Sequence, residues 1–238
     1  MKKIFKSLSA VLGIFILLAL IYSAAVIIKA RLETSKLTGN ILDSAGLTYK
    51  DLDKWQLDSL LAVEDPEFFE HNGIDLKTSG AGITTITQGV AKLLYFKNGF
   101  KPGLAKYKLM LVSVFALNSI VAKNDQLTLF INKAYLGSMD GTQVYGFEQA
   151  SRLYYKKKFR DISKDEYLQL VAMLIAPNTF NINKQRAANK ERVARIKKVI
   201  SGEYKPKNLM DVYYGDLPEQ VVKDGLAPAS YFPDMYKK

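Results

Sequence analysis

Groups able to transfer protons are concentrated in residues 61–73, where four carboxylates and the chain's single histidine flank two phenylalanines. The apolar residues before this segment have helical spacing, which predicts a helix that ends at Asp65, because Pro66 disfavours the α conformation in the preceding residue. Glu64 would then lie in the last helical turn among apolar neighbours. Burial there would raise the pKa of Glu64 towards the range useful for a general base. The alternative interpretation is a charged helix end that runs into a loop.

The polar start of the next predicted helix is a second candidate site, suited to an anion. Hydroxyl and amide donors at a helix N-terminus match a phosphate group, and Lys92 follows one turn past Gln88 on the same face. Two further lysines begin the following helix. The residues concerned are Thr84, Thr85, Thr87, Gln88, Lys92, Lys106 and Lys108. A threonine-rich helix start often serves only as a cap, and lysines often form a solvated face, so both interpretations stay open.

The composition excludes several classes of function. With 48% hydrophobic and 24% charged residues, the 238-residue chain is globular and can bury a sizeable core. It has no cysteine and one histidine, which excludes a disulfide framework and a thiolate nucleophile and argues against a nuclease or metal site. A net charge of +11 and a pI near 9.5 favour an anionic partner such as nucleic acid, an anionic membrane or a phosphorylated substrate.

The first element of the chain is an apolar N-terminal segment. Residues 8–28 are mainly apolar and carry no charge, and about 21 residues span roughly 31 Å as a helix, enough to cross a bilayer core. Lys2, Lys3 and Lys6 precede it, so we expect a single-pass anchor in the inner (cytoplasmic) membrane, with a cytoplasmic N-terminus and an extracytoplasmic domain. That placement argues against nucleic acid and puts the basic domain near an anionic bilayer. A signal peptide cleaved near residues 23–25 is the alternative.

The chain divides into four predicted regions, which are a cytoplasmic tip and transmembrane anchor (1–32), a polar stalk (33–50), a helical domain (51–202) and a C-terminal tail (203–238). Within the domain, the strongly apolar residues 106–121 are predicted to form a central buried helix. Residues 137–144 are predicted to form a loop, and we identify no strand alternation of any length. A short helix is predicted at residues 217–223.

Several segments, in order and at fitting spacings, resemble the motifs of the peptidoglycan glycosyltransferases of family 51. These are the polymerase domains of bifunctional penicillin-binding proteins and the monofunctional membrane-anchored enzymes. The matching residues are Glu64, Asp65, Phe68, His71 and Gly73 in the first motif, residues 82–88 with Lys92 in the second, and then residues 130–137 with Asn132, residues 145–150 with Tyr145 and Glu148, residues 171–178, and Arg195 with Val199. The resemblance covers about residues 50–201.

The resemblance implies a mainly α fold, a lysozyme-like helical domain with a smaller jaw lobe, preceded by one N-terminal transmembrane helix. It implies an enzyme that polymerises glycan strands from lipid II and releases undecaprenyl diphosphate. The expected partners are lipid II, the nascent glycan strand, the membrane and, for cross-linking, a separate transpeptidase.

The resemblance also implies roles for individual residues, with Glu64 as the catalytic base. The implied substrate contacts are Asp65, Phe68, Thr84, Thr85, Thr87, Gln88, Lys92, Lys106, Lys108, Asn132 and Arg195. The residues given a structural role near the site are His71, Gly73, Tyr145 and Glu148.

The chain departs from the family in its third motif, Arg-Lys-x-x-Glu. Counting back from Asn132 without gaps places this motif on residues 106–110, so its glutamate corresponds to Met110. In the family that glutamate assists the diphosphate or its metal, whereas methionine offers no oxygen ligand to Mg²⁺. The sequence therefore predicts no cofactor with certainty. Assistance by Mg²⁺ conflicts with Met110, and lysines that neutralise the phosphates directly are the alternative.

Two rival functions follow from these residues. Loss of the second glutamate is compatible with a catalytically silent relative that binds lipid II or glycan, or that acts as a cell-wall scaffold. A lysozyme-like fold with one general acid is also compatible with a glycan-cleaving lytic transglycosylase.

Overall fold

The computed structural model describes residues 2–96, 99–101 and 103–216, with side chains from residue 9 onward. The helices are α1 (Lys2–Asp43), α2 (Lys54–Glu64), α3 (Ile86–Tyr95), α4 (Leu104–Val112), α5 (Asn118–Ile120), α6 (Lys123–Lys133), α7 (Phe147–Ala150), α8 (Lys164–Met173) and α9 (Arg186–Ile200). Strands β1 (Tyr135–Met139) and β2 (Thr142–Tyr145) form an antiparallel hairpin. The predicted mainly α class is confirmed. The helix predicted at residues 217–223 lies outside the described residues.

The N-terminal part of helix α1 is an exposed apolar segment, and its C-terminal part packs against the domain. Its segment Ser9–Asp43 is long and apolar enough to cross a membrane, and most of the apolar window is exposed. Further along, Ala30, Thr34 and Thr38 are buried against the domain, and the Thr34 hydroxyl lies 2.6 Å from that of Tyr95 in α3. The boundary expected at residue 32 and most of the expected stalk therefore lie within one continuous helix.

The centre of the domain is α8, in which most side chains from Tyr167 to Met173 are fully buried. The Ser163 side chain accepts from the Glu166 amide and Glu166 accepts from the Ser163 amide, which forms a capping box at the start of α8. Helix α8 packs against α2 and α9. Because α2 carries Glu64 at its C-terminal end, this packing fixes the position of the candidate base relative to the core.

The apolar residues 106–121 do not form the central buried helix that their composition predicts. They divide into α4, a π-helical turn at Ser113–Leu117 and α5, and they pack between α1 and α3. One face stays open, where Tyr107, Met110 and Phe115 are 44%, 36% and 49% exposed. A helix that is apolar on most faces is buried in protein or faces lipid, and composition alone does not separate the two.

The predicted loop at residues 137–144 is instead the tip of the β-hairpin. Ser138 pairs with Gln143 and Met139 with Thr142. The two residues between the strands, Asp140 and Gly141, have positive φ values of 50° and 79°, which is the conformation of a tight hairpin turn. The strands are too short for their alternation to be visible in the sequence.

Candidate active site

Glu64 is the last residue of α2, and Asp65 is its C-cap, as the sequence predicts. The side chain of Glu64 is partly buried. Burial raises the pKa of Glu64 to about 7, the positive charge of Arg192 acts to lower it, and the negative charge of Asp65 acts to raise it. A carboxyl group with this pKa exchanges protons near neutral pH, as a general base requires.

Asp65 is fully buried and joins the end of α2 to the start of α3. Its Oδ2 accepts a hydrogen bond of 2.9 Å from the amide of Ile86, the first residue of α3. The Nε2 of His71 lies 2.8 and 3.0 Å from the two carboxylate oxygens, and the Nδ1 of His71 accepts from the Gly73 amide. His71 therefore donates through Nε2. We call Asp65, His71 and the Ile86 amide the Asp65 clasp.

The polar residues at the start of α3 are used mainly in capping and packing. The Thr85 hydroxyl accepts from the Gln88 amide and donates to the Gly73 carbonyl, and the Gln88 side chain accepts from the Thr85 amide. The Thr87 hydroxyl donates to Gln126 at 2.7 Å. Thr85, Thr87 and Gln88 are buried. The capping interpretation thus describes these three residues, whereas Thr84, just before α3, is exposed.

Lysines of α3 and α4 form the positive part of the site. Lys92 Nζ lies 3.4 Å from the Thr84 hydroxyl. Burial and, to a smaller extent, the charge of Lys106 lower the pKa of Lys92 to about 8. Lys108 lies over the ring of Phe96, with its Nζ 5.0 Å from the centroid. Lys92 and Lys106 are therefore close enough to repel each other electrostatically, and an anion between them would relieve that repulsion.

Several residues of the predicted site hold the backbone around it. Asn132 donates to the Leu47 carbonyl and accepts from the amides of Gly46 and Leu47. Glu148 accepts from the Phe159 amide at 2.9 Å. These contacts anchor neighbouring segments of the domain and do not involve Glu64.

Close packing explains three more of the predicted residues. Gly73 has φ +96°, and a Cβ there would lie 3.0 Å from the Ser113 carbonyl oxygen, so the position requires glycine. Phe68 is fully buried beneath the ammonium group of Lys123, whose Nζ is 4.4 Å from the ring centroid. Tyr145 is half-buried beside the ring of Tyr135.

The structure adds residues that the sequence analysis missed. Arg192 of α9 is 2% exposed and acts electrostatically on Glu64. Tyr214 donates from its hydroxyl to the carbonyl of Val63, which directly precedes Glu64. Arg195, which was predicted, donates to the Tyr213 and Asp216 carbonyls and pairs with Glu191 at 2.6 Å. The helical spacing of Asn189, Arg192 and Ile196 on one buried face is a signal that could have identified Arg192.

The donor set around α4 does not fit Mg²⁺. Met110 stands where the resemblance places a carboxylate, and a thioether is a poor ligand for a hard cation. In the part of the chain that the structure describes, no three His, Cys, Asp or Glu side chains come together as a metal site. No catalytic step is therefore assigned to a metal ion.

Comparison with known proteins gives one family. The family model described as Transglycosylase matches residues 35–201. Penicillin-binding protein 1F of Bacillus subtilis (strain 168) is 30% identical over 159 residues, which are 61% of this chain and 21% of that protein. Penicillin-binding protein 1B of Haemophilus influenzae is 31% identical over 152 residues (58% and 19%), and penicillin-binding protein 1A of Neisseria gonorrhoeae is 30% identical over 149 residues (56% and 18%). The match thus spans about a fifth of the length of these curated relatives.

Proposed function

Because this chain belongs to the transglycosylase family, we propose that it is a membrane-anchored peptidoglycan glycosyltransferase. It would polymerise glycan strands from lipid II and release undecaprenyl diphosphate. The observation that carries the proposal is the position of Glu64 at the end of α2, which the Asp65 clasp joins to the helix bearing Lys92. Burial at this position raises the pKa of Glu64 to about 7, which supports a role as the base. Cross-linking of the strands is left, in this proposal, to a separate transpeptidase.

The proposed reaction is a displacement at a sugar carbon. Glu64 accepts the proton of the acceptor hydroxyl as its oxygen bonds to C1 of the donor sugar. The bond between C1 and the diphosphate oxygen breaks, and the diphosphate leaves with the electron pair. Lys92 and Lys106 stabilise the negative charge that develops on the leaving group, and Lys108, Thr84 and Arg195 are proposed to contact the rest of the substrate.

The buried and half-buried members of the predicted site are proposed to support the fold around Glu64 and Lys92. This supporting set consists of Asp65, Phe68, His71, Gly73, Thr85, Thr87, Gln88, Asn132, Tyr145 and Glu148. Their hydrogen bonds and close contacts lie within the protein, so a substitution in this set should lower stability together with activity.

A membrane location is supported by the contacts between α1 and α4. The ring of Tyr107 stacks on that of Tyr22 in the apolar part of α1, with 6.5 Å between the ring centroids. The Tyr107 hydroxyl lies 2.7 Å from that of Ser23. The exposed apolar residues Met110 and Phe115 lie on the same flank of the domain. We propose that this flank lies at the bilayer surface, where a lipid-linked sugar can reach Lys92, and that the N-terminus is cytoplasmic.

The membrane topology can be tested with cysteine labelling, because the chain has no native cysteine. Lys3→Cys and Lys205→Cys would be treated with a membrane-impermeant maleimide in intact spheroplasts. We expect labelling of Lys205→Cys alone, and of both variants after the membrane is permeabilised. Labelling of Lys3→Cys in intact spheroplasts would refute the proposed orientation.

The activity is tested by incubating the purified full chain in detergent with fluorescent lipid II and resolving the products by electrophoresis. We expect glycan polymer from the wild type and none from Glu64→Gln. Failure of the wild type to form polymer, where another enzyme of the family does so under the same conditions, would refute the proposal. Release of soluble fragments from purified sacculi would indicate a lytic enzyme instead.

A second candidate function is binding of lipid II or glycan without turnover. It is favoured by the apolar Met110 at the position of the expected carboxylate and by the lack of a metal-ligand cluster among the described residues. This function predicts lipid II binding that is equal in wild type and Glu64→Gln, with no polymer from either protein.

A further inference from the structure

The segment after α9 folds back onto the candidate site. We call residues 202–216 the C-terminal strap. The Asn208 carbonyl of the strap accepts from the Gly80 amide at 2.9 Å, and the Leu209 carbonyl accepts from the Gly82 amide at 2.8 Å. A Cβ at Gly80, where φ is +80°, would lie 2.6 Å from Pro206. The strap is therefore fitted closely to the loop that leads into α3.

Arg192 lies between this strap and α2. Its Nη1 donates to the Val212 carbonyl at 2.6 Å. Its guanidinium carbon lies 4.9 Å from the ring centroid of Tyr214, 5.4 Å from that of Tyr213 and 5.8 Å from that of Phe180. Its Nε has no hydrogen-bond partner among the described residues. The aromatic faces stabilise the cation, but they do not neutralise it.

The negative charge of Glu64 favours the charged form of Arg192. The charged groups that influence Arg192 are Glu64 and Arg195, and the tyrosines of the strap, Tyr213 and Tyr214, also face it. The charged groups that act on Glu64 are Arg192 on α9 and Asp65, the next residue in the chain. A buried cation without an anion is strongly disfavoured, so protonation of Glu64 would leave Arg192 uncompensated.

Tyr214 connects the same cation to the backbone at Glu64. Its ring lies 4.9 Å from the guanidinium carbon of Arg192, and its hydroxyl donates to the Val63 carbonyl at 3.2 Å. The residue itself is held at φ +59°, an unusual conformation for a non-glycine residue. The strap thus places one side chain against both the arginine and the end of α2.

We propose that Arg192, held in place by Tyr214 of the C-terminal strap, is the positioning residue that keeps Glu64 ionised for proton transfer. This inference rests on the proposed function, since it assigns a role within the same site. It also makes the strap, which follows α9, a required part of the active site.

The test measures how Glu64 titrates, both with and without turnover. The full chain in detergent would be labelled with [δ-¹³C]glutamate, the Glu64 signal assigned by its loss in Glu64→Gln, and the chemical shift followed against pH. The dependence of kcat/KM on pH for lipid II polymerisation would be measured in parallel. The variants are Arg192→Met, Arg192→Lys and Tyr214→Phe. The control is Lys198→Met, which removes an exposed charge from the same helix.

Arg192→Met should raise the titration midpoint of Glu64 by roughly one pH unit. The acid limb of kcat/KM should move by the same amount, which lowers the rate at pH 7 by about fivefold. Tyr214→Phe should give a smaller shift in the same direction, and Arg192→Lys should restore most of the wild-type midpoint. Lys198→Met should leave the midpoint and the rate unchanged.

A purely structural role for Arg192 would give a different result. In that case Arg192→Met would lower the melting temperature and the rate equally at every pH, with the Glu64 midpoint unmoved, and the proposal would be overturned. If Arg192→Met does not fold, Tyr214→Phe and Arg192→Lys decide the question by the same midpoint. If the wild type makes no polymer but the midpoint shifts as expected, the proposed function fails while the electrostatic coupling stands.

Discussion

The Asp65 clasp and the exposed flank of α4 belong to the same candidate site but differ in burial and in hydrogen bonding. In the clasp, a fully buried carboxylate is satisfied by His71 and by the Ile86 amide. On the α4 flank, Tyr107 and Met110 are exposed and apolar or aromatic, and the neighbouring charges are lysines that repel each other.

This difference explains which residues of the family motifs the chain retains and which it replaces. The clasp is a closed hydrogen-bond network, in which removal of one partner leaves a buried group unsatisfied. Met110 on the α4 flank is exposed, so a methionine in place of a carboxylate there costs the fold little. The proposed catalysis therefore relies on the clasp side for proton transfer and on lysines for charge neutralisation.

The largest expected effect is at Glu64 on the clasp side. Glu64→Gln removes the proton acceptor and should lower the polymerisation rate by about 10²-fold to 10⁴-fold, measured as lipid II consumed per minute. The matched control is Glu67→Gln, an exposed carboxylate three residues away, which should retain wild-type activity. Equal activity of Glu64→Gln and Glu67→Gln would show that Glu64 is not the base.

The clasp itself is tested by Asp65→Asn, which keeps the shape of the side chain but turns one of its oxygens into a donor. Because His71 and the Ile86 amide both donate to Asp65, we expect a loss of roughly 1.5–3 kcal/mol in the free energy of unfolding, measured by chemical denaturation. Asp58→Asn, which breaks an exposed ion pair with Lys54, should cost about 0.5 kcal/mol or less. A similar small loss for Asp65→Asn would contradict the network described here.

The two sides of the site should each contribute one limb to the pH dependence of kcat/KM. Activity should fall as the pH decreases through about 7, where Glu64 is protonated, and as it rises through about 8, where Lys92 loses its charge. Lys92→Arg keeps the positive charge at high pH. This variant should abolish the alkaline limb and retain the acid limb. An alkaline limb that is unchanged in Lys92→Arg would exclude Lys92 as its origin.

The smallest effect is expected on the α4 flank. Met110→Glu restores a carboxylate, but the other oxygen donors that Mg²⁺ needs are not grouped there among the described residues. We therefore expect little change in polymerisation rate, with or without added Mg²⁺, and the same from the uncharged control Met110→Gln. A Mg²⁺-dependent gain in Met110→Glu alone would show that the flank still holds a metal site.

Local patterns in the sequence were sufficient to predict much of this structure. The end of α2 at Glu64 follows from Pro66, and the apolar N-terminal segment forms the long helix that its composition predicts. The exposed flank of α4 and the β-hairpin were mispredicted. In both cases the deciding information is non-local, because an apolar helix does not specify whether protein or lipid covers it, and short strands are identified only through their pairing.

The sequence by itself determined the carboxylate at the end of a helix, the apolar N-terminal segment and the motif series of the family. Each of these depends on residues close together in the chain. Tertiary structure alone decided that Thr85, Thr87 and Gln88 face inward, and that Arg192 and Tyr214 come close to the end of α2. The pKa of a carboxyl group depends on the burial and charges around it in space, and here the positive charge comes from Arg192, more than 120 residues further along the chain.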